Sequence, residues 1–193
     1  MNTPNKLTIL RVLMIPLYIA AMMLLPPSWN TLVGAAIYGI ASATDAIDGH
    51  LARKNNEVTD FGKFLDPLAD KMLVITALVL LQDFKMIPPL FTVIIIAREL
   101  MVTSIRLIAA SSAGKVIAAG WMGKAKTVTQ MVATLLLMVE PVIYKLIAPD
   151  SGLLKWFHFA PLGKIFLWAA VILTVVSGIQ YLVQNWEFID YRK

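Results

Sequence analysis

Residues Asp45–Asp70 read DAIDGHLARKNNEVTDFGKFLDPLAD, and this polar stretch decides how the rest of the chain must fold. Apolar sequence runs into it on one side (Thr31–Leu51) and out of it on the other (Phe64–Leu81). Four carboxylates therefore stand at or near the ends of segments long enough to span a membrane. Ionisable groups at membrane depth cost about 2.5–3.5 kcal/mol each on insertion scales, so an acidic cluster there marks a functional site by default. Four carboxylates together require a cation.

The flanking sequence has the same apolar character. Hydrophobic residues make up 59% of the 193 and mean hydropathy is +0.74, against an apolar share of about 45–50% in soluble domains. An ordinary soluble domain is excluded. A span needs roughly 20 apolar residues, and six such stretches are present: Leu7–Leu25, Thr31–Leu51, Phe64–Leu81, Ile87–Ala110, Lys126–Ile147 and Leu162–Gln184. They are continuously apolar, whereas barrel strands alternate with a period of two, so helices are predicted throughout. The expected fold is all-α: a polytopic membrane protein, a six-transmembrane-helix bundle, with residues 1–193 forming one integral membrane domain. Pro16 and Pro141 fall inside spans and the other prolines noted (Pro26, Pro27, Pro88, Pro89, Pro161) near their ends. The opening MNTPNKLTILR has no small-residue cleavage site after it and is expected to be retained. There are no cysteines, which rules out disulfides, thiolate metal sites and a cysteine nucleophile.

Of the seventeen Lys and Arg residues, only Lys85, Lys145, Lys155 and Lys164 fall on one side of the membrane if both termini share the other. The positive-inside rule then places the termini and the aspartates at the cytoplasmic face of the cell membrane. The formal charge of +5 borders spans rather than forming a soluble patch. Anionic lipid headgroups or an anionic substrate are the expected partners, not nucleic acid.

Asp45 and Asp48 are three apart, and Asp66 and Asp70 four apart, so each pair shares one face of its helix. With a loop from Arg53 to Lys63 the two helices can pack antiparallel and bring the pairs together. Oxygen-only ligation without nearby His or Cys favours Mg²⁺, Mn²⁺ or Ca²⁺ over zinc, and four negative charges exceed what one divalent ion neutralises. Gly49 and Gly62 cost about 1 kcal/mol each relative to alanine in a helix, which suits the close approach of a bulky phosphate-bearing ligand. Any one of these acids alone would be an ordinary solvated helix end, and small residues commonly serve helix packing. Their combination is not ordinary.

The string Asp45-x2-Asp48-Gly49-x2-Ala52-Arg53-x8-Gly62-x3-Asp66-x3-Asp70 resembles, at every fixed position, the signature of the CDP-alcohol phosphotransferases. The resemblance implies a six-helix membrane enzyme that moves a phosphatidyl or related group from a CDP-linked donor to an alcohol and releases CMP. It implies a dinuclear site on Asp45, Asp48, Asp66 and Asp70, expected to hold two Mg²⁺ or Mn²⁺ ions, with Asp70 as general base and a homodimeric assembly. Spacing alone does not separate Asp70 from Asp66. Arg53, always charged and forked, is suited to gripping donor phosphates beside Gly49 and Gly62.

The acceptor must be recognised elsewhere. Arg98 and Arg106 lie eight apart, about 12 Å along one helix, and Lys115, Lys124 and Lys126 follow in the connection GKVIAAGWMGKAKT. This concentration of positive charge suits a phosphorylated acceptor. Three strings, NTPNKLTILR, ARELMVTSIR and GKAKTVTQ, are similar to those of the branch of the family that makes phosphatidylglycerophosphate, which implies CDP-diacylglycerol as donor and glycerol 3-phosphate as acceptor. Arg106 and Lys126, with Arg98, Lys115, Thr127 and Arg11, are the expected acceptor-phosphate residues. Asn5, Thr8 and Arg11 are spaced three apart along one helical face, where donor or acceptor could meet them. Lys71 is given no catalytic part, and Glu99 is read as orienting or neutralising its neighbour Arg98. From Met131 onward the sequence reads as generic apolar helix. Two alternatives stay open: another acceptor, such as phosphatidylglycerol or inositol phosphate, and a divalent-cation transport path through the acids.

Overall fold

The computed structural model describes residues 3–27, 29–55, 60–113, 120–147 and 162–186, with side chains excepted at 3–7, 45–55, 60–67, 70, 110–113 and 144–147. Among the described residues there are six helices and no strands: α1 (Thr3–Leu24), α2 (Trp29–Asn55), α3 (Asp60–Asp83), α4 (Pro89–Ala113), α5 (Trp121–Ile147) and α6 (Leu162–Gln184). Each expected span corresponds to one helix. The differences lie at the polar ends, where the helices run further than the apolar sequence does. Arg53 and Lys63, expected to bound a loop, lie inside α2 and α3, and Lys124 and Lys126, expected in a connection, lie in the first turns of α5. Alanine, lysine and arginine are good helix formers, so a helix need not stop where its apolar stretch stops. Pro16 and Pro141 are accommodated within α1 and α5.

The helices close into a ring in which α1 packs on α2, α2 on α5, α5 on α6, α6 on α4, α4 on α3, and α3 back on α1. The α5–α6 and α1–α2 pairs are the most extensive, and α3 also touches α2 and α5 across the interior. Tyr18, Met22, Tyr38, Leu78, Leu81, Ile95 and Met138 fill the core. The α1–α2 seam is close enough to need a glycine: a Cβ at Gly34 would overlap Met22 Sδ and lie 3.3 Å from Tyr18 Cε2.

The outer surface is apolar. In α6 the exposed residues include Ile165, Trp168, Ile172, Val175, Ile179 and Val183, whereas Ala170, Thr174, Ser177, Gly178 and Tyr181 are buried. Small and polar residues inside with large apolar ones outside is the pattern of a helix solvated by lipid. Within the described residues, Trp121–Ile143 and Leu162–Gln184 are long and apolar enough to cross a membrane, and Thr8–Leu24 forms a shorter apolar run. The arrangement is that of a membrane helical bundle.

The α3–α4 turn shows how the chain reverses without glycine. Lys85 N–H donates to Gln82 O at 2.8 Å and Met86 N–H to Leu81 O at 2.8 Å, the paired bonds of a Schellman cap. Lys85 has φ 59°, a conformation that favours glycine. Lys85→Gly is therefore expected to stabilise the protein by about 1 kcal/mol, read as a higher thermal midpoint in detergent.

Candidate active site at one end of the bundle

The aspartate motif falls on two continuous helices that touch. Asp45, Asp48, Gly49 and Arg53 lie in the last three turns of α2, and Gly62, Asp66 and Asp70 in the first three of α3. Only residues 56–59 separate the two helices, so both acid pairs belong to the same end of the bundle. The side chains of the four aspartates, Asn5 and Arg53 lie outside the described set, as does Lys115 altogether. Among the described residues no group of three His, Cys, Asp or Glu gathers to hold a metal. The aspartates are thus the donor set to weigh. Two pairs at helical spacing on contacting helices, oxygen donors throughout, fit hard divalent cations.

One residue beyond Asp70, Lys71 opens a charged cluster. Glu99 of α4 is 5% exposed and accepts from three cations. Lys126 of α5 and Arg98 donate to Oε1, the latter at 3.0 Å, and Lys71 of α3 donates to Oε2. Arg98 reaches further, donating through Nη2 to Ser177 Oγ of α6 at 3.1 Å. Three helices meet at one carboxylate, and Arg98 ties in a fourth. Lys126 is only 2% exposed, and a charge so buried persists only when paired. The four groups sum to two positive charges.

Two glycines make room for the arginine. A Cβ at Gly178 would lie 3.2 Å from Arg98 Cγ, and one at Gly123 would lie 3.5 Å from Arg98 Nη2. Gly178→Leu would push Arg98 off Ser177 and Glu99. The expected destabilisation is about 1–3 kcal/mol from overpacking, measured by thermal unfolding alongside the KM for the acceptor.

The structure distributes the expected acceptor residues unevenly. Arg98 and Lys126 meet at Glu99, whereas Arg106, two turns from Arg98, places its guanidinium carbon 5.6 Å from the centroid of the Tyr181 ring, within cation–π range. Among the described residues the buried Nε atoms of Arg98 and Arg106 have no hydrogen-bond partners. Thr8 and Arg11 are each 1% exposed on α1, the helix that packs on both aspartate helices. Thr127 is exposed and donates to Gly123 O at 3.0 Å, a bond within its own helix.

Several residues of the cluster were given little or no part by the sequence reading. Lys71 is given no catalytic part there and Glu99 only that of orienting or neutralising Arg98, a pairing that the structure contains, and Ser177, Gly178 and Tyr181 lie in a stretch read as generic apolar helix. A signal was present in the last case, because Thr174, Ser177, Gly178 and Tyr181 recur at three- and four-residue spacing and mark a packed face. Gln130, one turn beyond Lys126, is likewise buried, and among the described residues its Oε1 has no partner.

A sequence model of the CDP-alcohol phosphatidyltransferases matches residues 1–176. The chain belongs to that family. Among curated proteins, a Bacillus subtilis (strain 168) enzyme is 42% identical over 198 residues, covering 96% of both chains. A Salmonella choleraesuis (strain SC-B67) enzyme is 38% identical over 186 residues, covering 94% of this chain and 93% of its own. An Escherichia coli (strain K12) enzyme is 37% identical with the same coverage. All three bear the name CDP-diacylglycerol--glycerol-3-phosphate 3-phosphatidyltransferase. CDP-alcohol phosphatidyltransferases depend on divalent metal, in keeping with the aspartate donor set. The match to the family ends just before Ser177, so the α6 partner of Arg98 lies beyond it.

Proposed function

We infer that this protein transfers the phosphatidyl group of CDP-diacylglycerol to glycerol 3-phosphate, giving phosphatidylglycerophosphate and CMP. The observation that carries the reading is identity of 37–42% over nearly the whole chain to enzymes of that name. The cation cluster one residue from the aspartate motif supports it, because a phosphorylated acceptor needs counter-charge there and serine or ethanolamine does not.

In this reading the donor's acyl chains stay among lipids against the apolar outer faces, while its cytidine diphosphate enters the polar end of the bundle. Arg53 holds the donor phosphates beside Gly49 and Gly62, and Asn5 and Thr8 line the same end from α1. Arg106 and Lys126, with Arg98, Lys115, Thr127 and Arg11, hold the acceptor phosphate. The Asp70 carboxylate takes the proton of the acceptor hydroxyl as its oxygen bonds to the phosphorus of the phosphatidyl group. The bond from that phosphorus to the bridging oxygen breaks, and CMP leaves with that oxygen. Asp45, Asp48, Asp66 and Asp70 would hold two Mg²⁺ or Mn²⁺ ions, whose chemistry there would be charge neutralisation at the pyrophosphate. Direct attack is preferred over a covalent enzyme intermediate, since the four acids already have roles. The site faces the cytoplasm from the cell membrane, and the assembly is a homodimer on the family resemblance. Chelation should abolish formation of phosphatidylglycerophosphate, followed by mass spectrometry, and Mg²⁺ or Mn²⁺ should restore it; turnover indifferent to chelation would contradict the site.

A further inference from the structure

We propose that Glu99 is a positioning residue that preassembles the acceptor-phosphate receptor, holding Lys71, Arg98 and Lys126 at one point and setting the charge they present. The inference rests on the reading above and adds to it a carboxylate that itself touches neither substrate.

Neutralising its neighbour Arg98 would need one oxygen of Glu99. The structure uses both: Oε1 takes Lys126 and Arg98, and Oε2 takes Lys71. These cations come from α3, α4 and α5, and without a shared anion they would repel one another, most strongly around the buried Lys126. Arg98 is held from the far side as well, by Ser177 and by the space left at Gly178 and Gly123. Its guanidinium is therefore held from two sides, and among the described residues its Nε has no hydrogen-bond partner. Three cations and one carboxylate leave two positive charges, which balance the two negative charges of a phosphate monoester dianion. Glu99 thus does two things: it fixes where the cations stand, and it keeps their excess charge matched to an acceptor of the phosphate-monoester class.

The test is steady-state kinetics of purified Glu99→Gln, Glu99→Asp and Ser177→Ala in detergent, varying glycerol 3-phosphate and CDP-diacylglycerol separately. Glu99→Gln is expected to raise the KM for glycerol 3-phosphate about tenfold or more, as loss of charge-assisted bonds would, with the KM for CDP-diacylglycerol within about twofold. Glu99→Asp should recover part of the difference, a result that a purely structural role would not produce. Ser177→Ala, which leaves the carboxylate in place, should raise the same KM by a smaller factor. An unchanged KM for glycerol 3-phosphate in Glu99→Gln, or equal increases for both substrates, would overturn the proposal. If Glu99→Gln does not fold, an unchanged KM in Ser177→Ala overturns it. Wild-type protein that releases no CMP with glycerol 3-phosphate overturns the functional reading itself, a result distinct from normal wild-type turnover with unaltered variants.

Discussion

Asp70→Asn is expected to lower turnover by about 10²–10⁴-fold, the contribution of a positioned general base, while leaving the helical bundle intact. Asparagine keeps the shape of the side chain and one oxygen but cannot accept the acceptor's proton. It also removes one negative charge from the expected metal set, so loss of metal affinity and loss of the base act together. Asp66→Asn separates them. If Asp70 is the base, the Asp66 variant should recover turnover at raised Mg²⁺ or Mn²⁺ concentration and the Asp70 variant should not. Recovery of Asp70→Asn by metal alone would transfer the base role to Asp66, which spacing leaves open. The readout is CMP release across a metal titration, with the thermal midpoint as the control for folding.

Lys126→Met should be the next most damaging change. The ammonium is 2% exposed and pairs with Glu99, so methionine fills the space but leaves the carboxylate with only Lys71 and Arg98. Breaking a buried ion pair by removing one partner typically costs 3–5 kcal/mol; here the two remaining cations hold the loss to about 3 kcal/mol at most. The effect on acceptor binding is of similar size. Losing a buried cation from the phosphate pocket should raise the KM for glycerol 3-phosphate by about 100-fold, with the KM for CDP-diacylglycerol little altered. Lys126→Arg should recover less than the charge alone suggests, because a planar fork does not replace a compact ammonium in a closed site. Equal losses for both substrates would indicate general disruption rather than an acceptor role.

Much of this was legible in the sequence because it depends on local pattern. Six apolar runs gave six helices, since a span must satisfy its backbone hydrogen bonds internally whatever its neighbours do. The aspartate spacing is local in the same sense: three- and four-residue intervals define a face as soon as the segment is helical. The helix ends were less legible. Hydropathy marks where lipid ends, and α2 continues through Ala52, Arg53 and Lys54 beyond that point. The least legible features join distant segments. Glu99 and Lys71 are 28 residues apart, and Arg98 and Ser177 are 79 apart, so only the packing of α3, α4, α5 and α6 makes one cluster of them. Arg98 and Arg106 illustrate the limit: their eight-residue spacing sets them about 12 Å apart along α4, but only the packing shows that one turns to Glu99 and Ser177 and the other to the ring of Tyr181.

The central claim is that a metal-dependent phosphatidyl transfer here is directed to a phosphorylated glycerol. The most direct measurement is CMP release by the purified protein with CDP-diacylglycerol and Mg²⁺, supplying glycerol 3-phosphate, inositol phosphate, serine or phosphatidylglycerol one at a time. Turnover with glycerol 3-phosphate alone is the predicted result. Turnover with serine or phosphatidylglycerol but not glycerol 3-phosphate would contradict the role given to the Glu99 cluster, and no turnover with any acceptor would contradict the enzymatic reading as a whole.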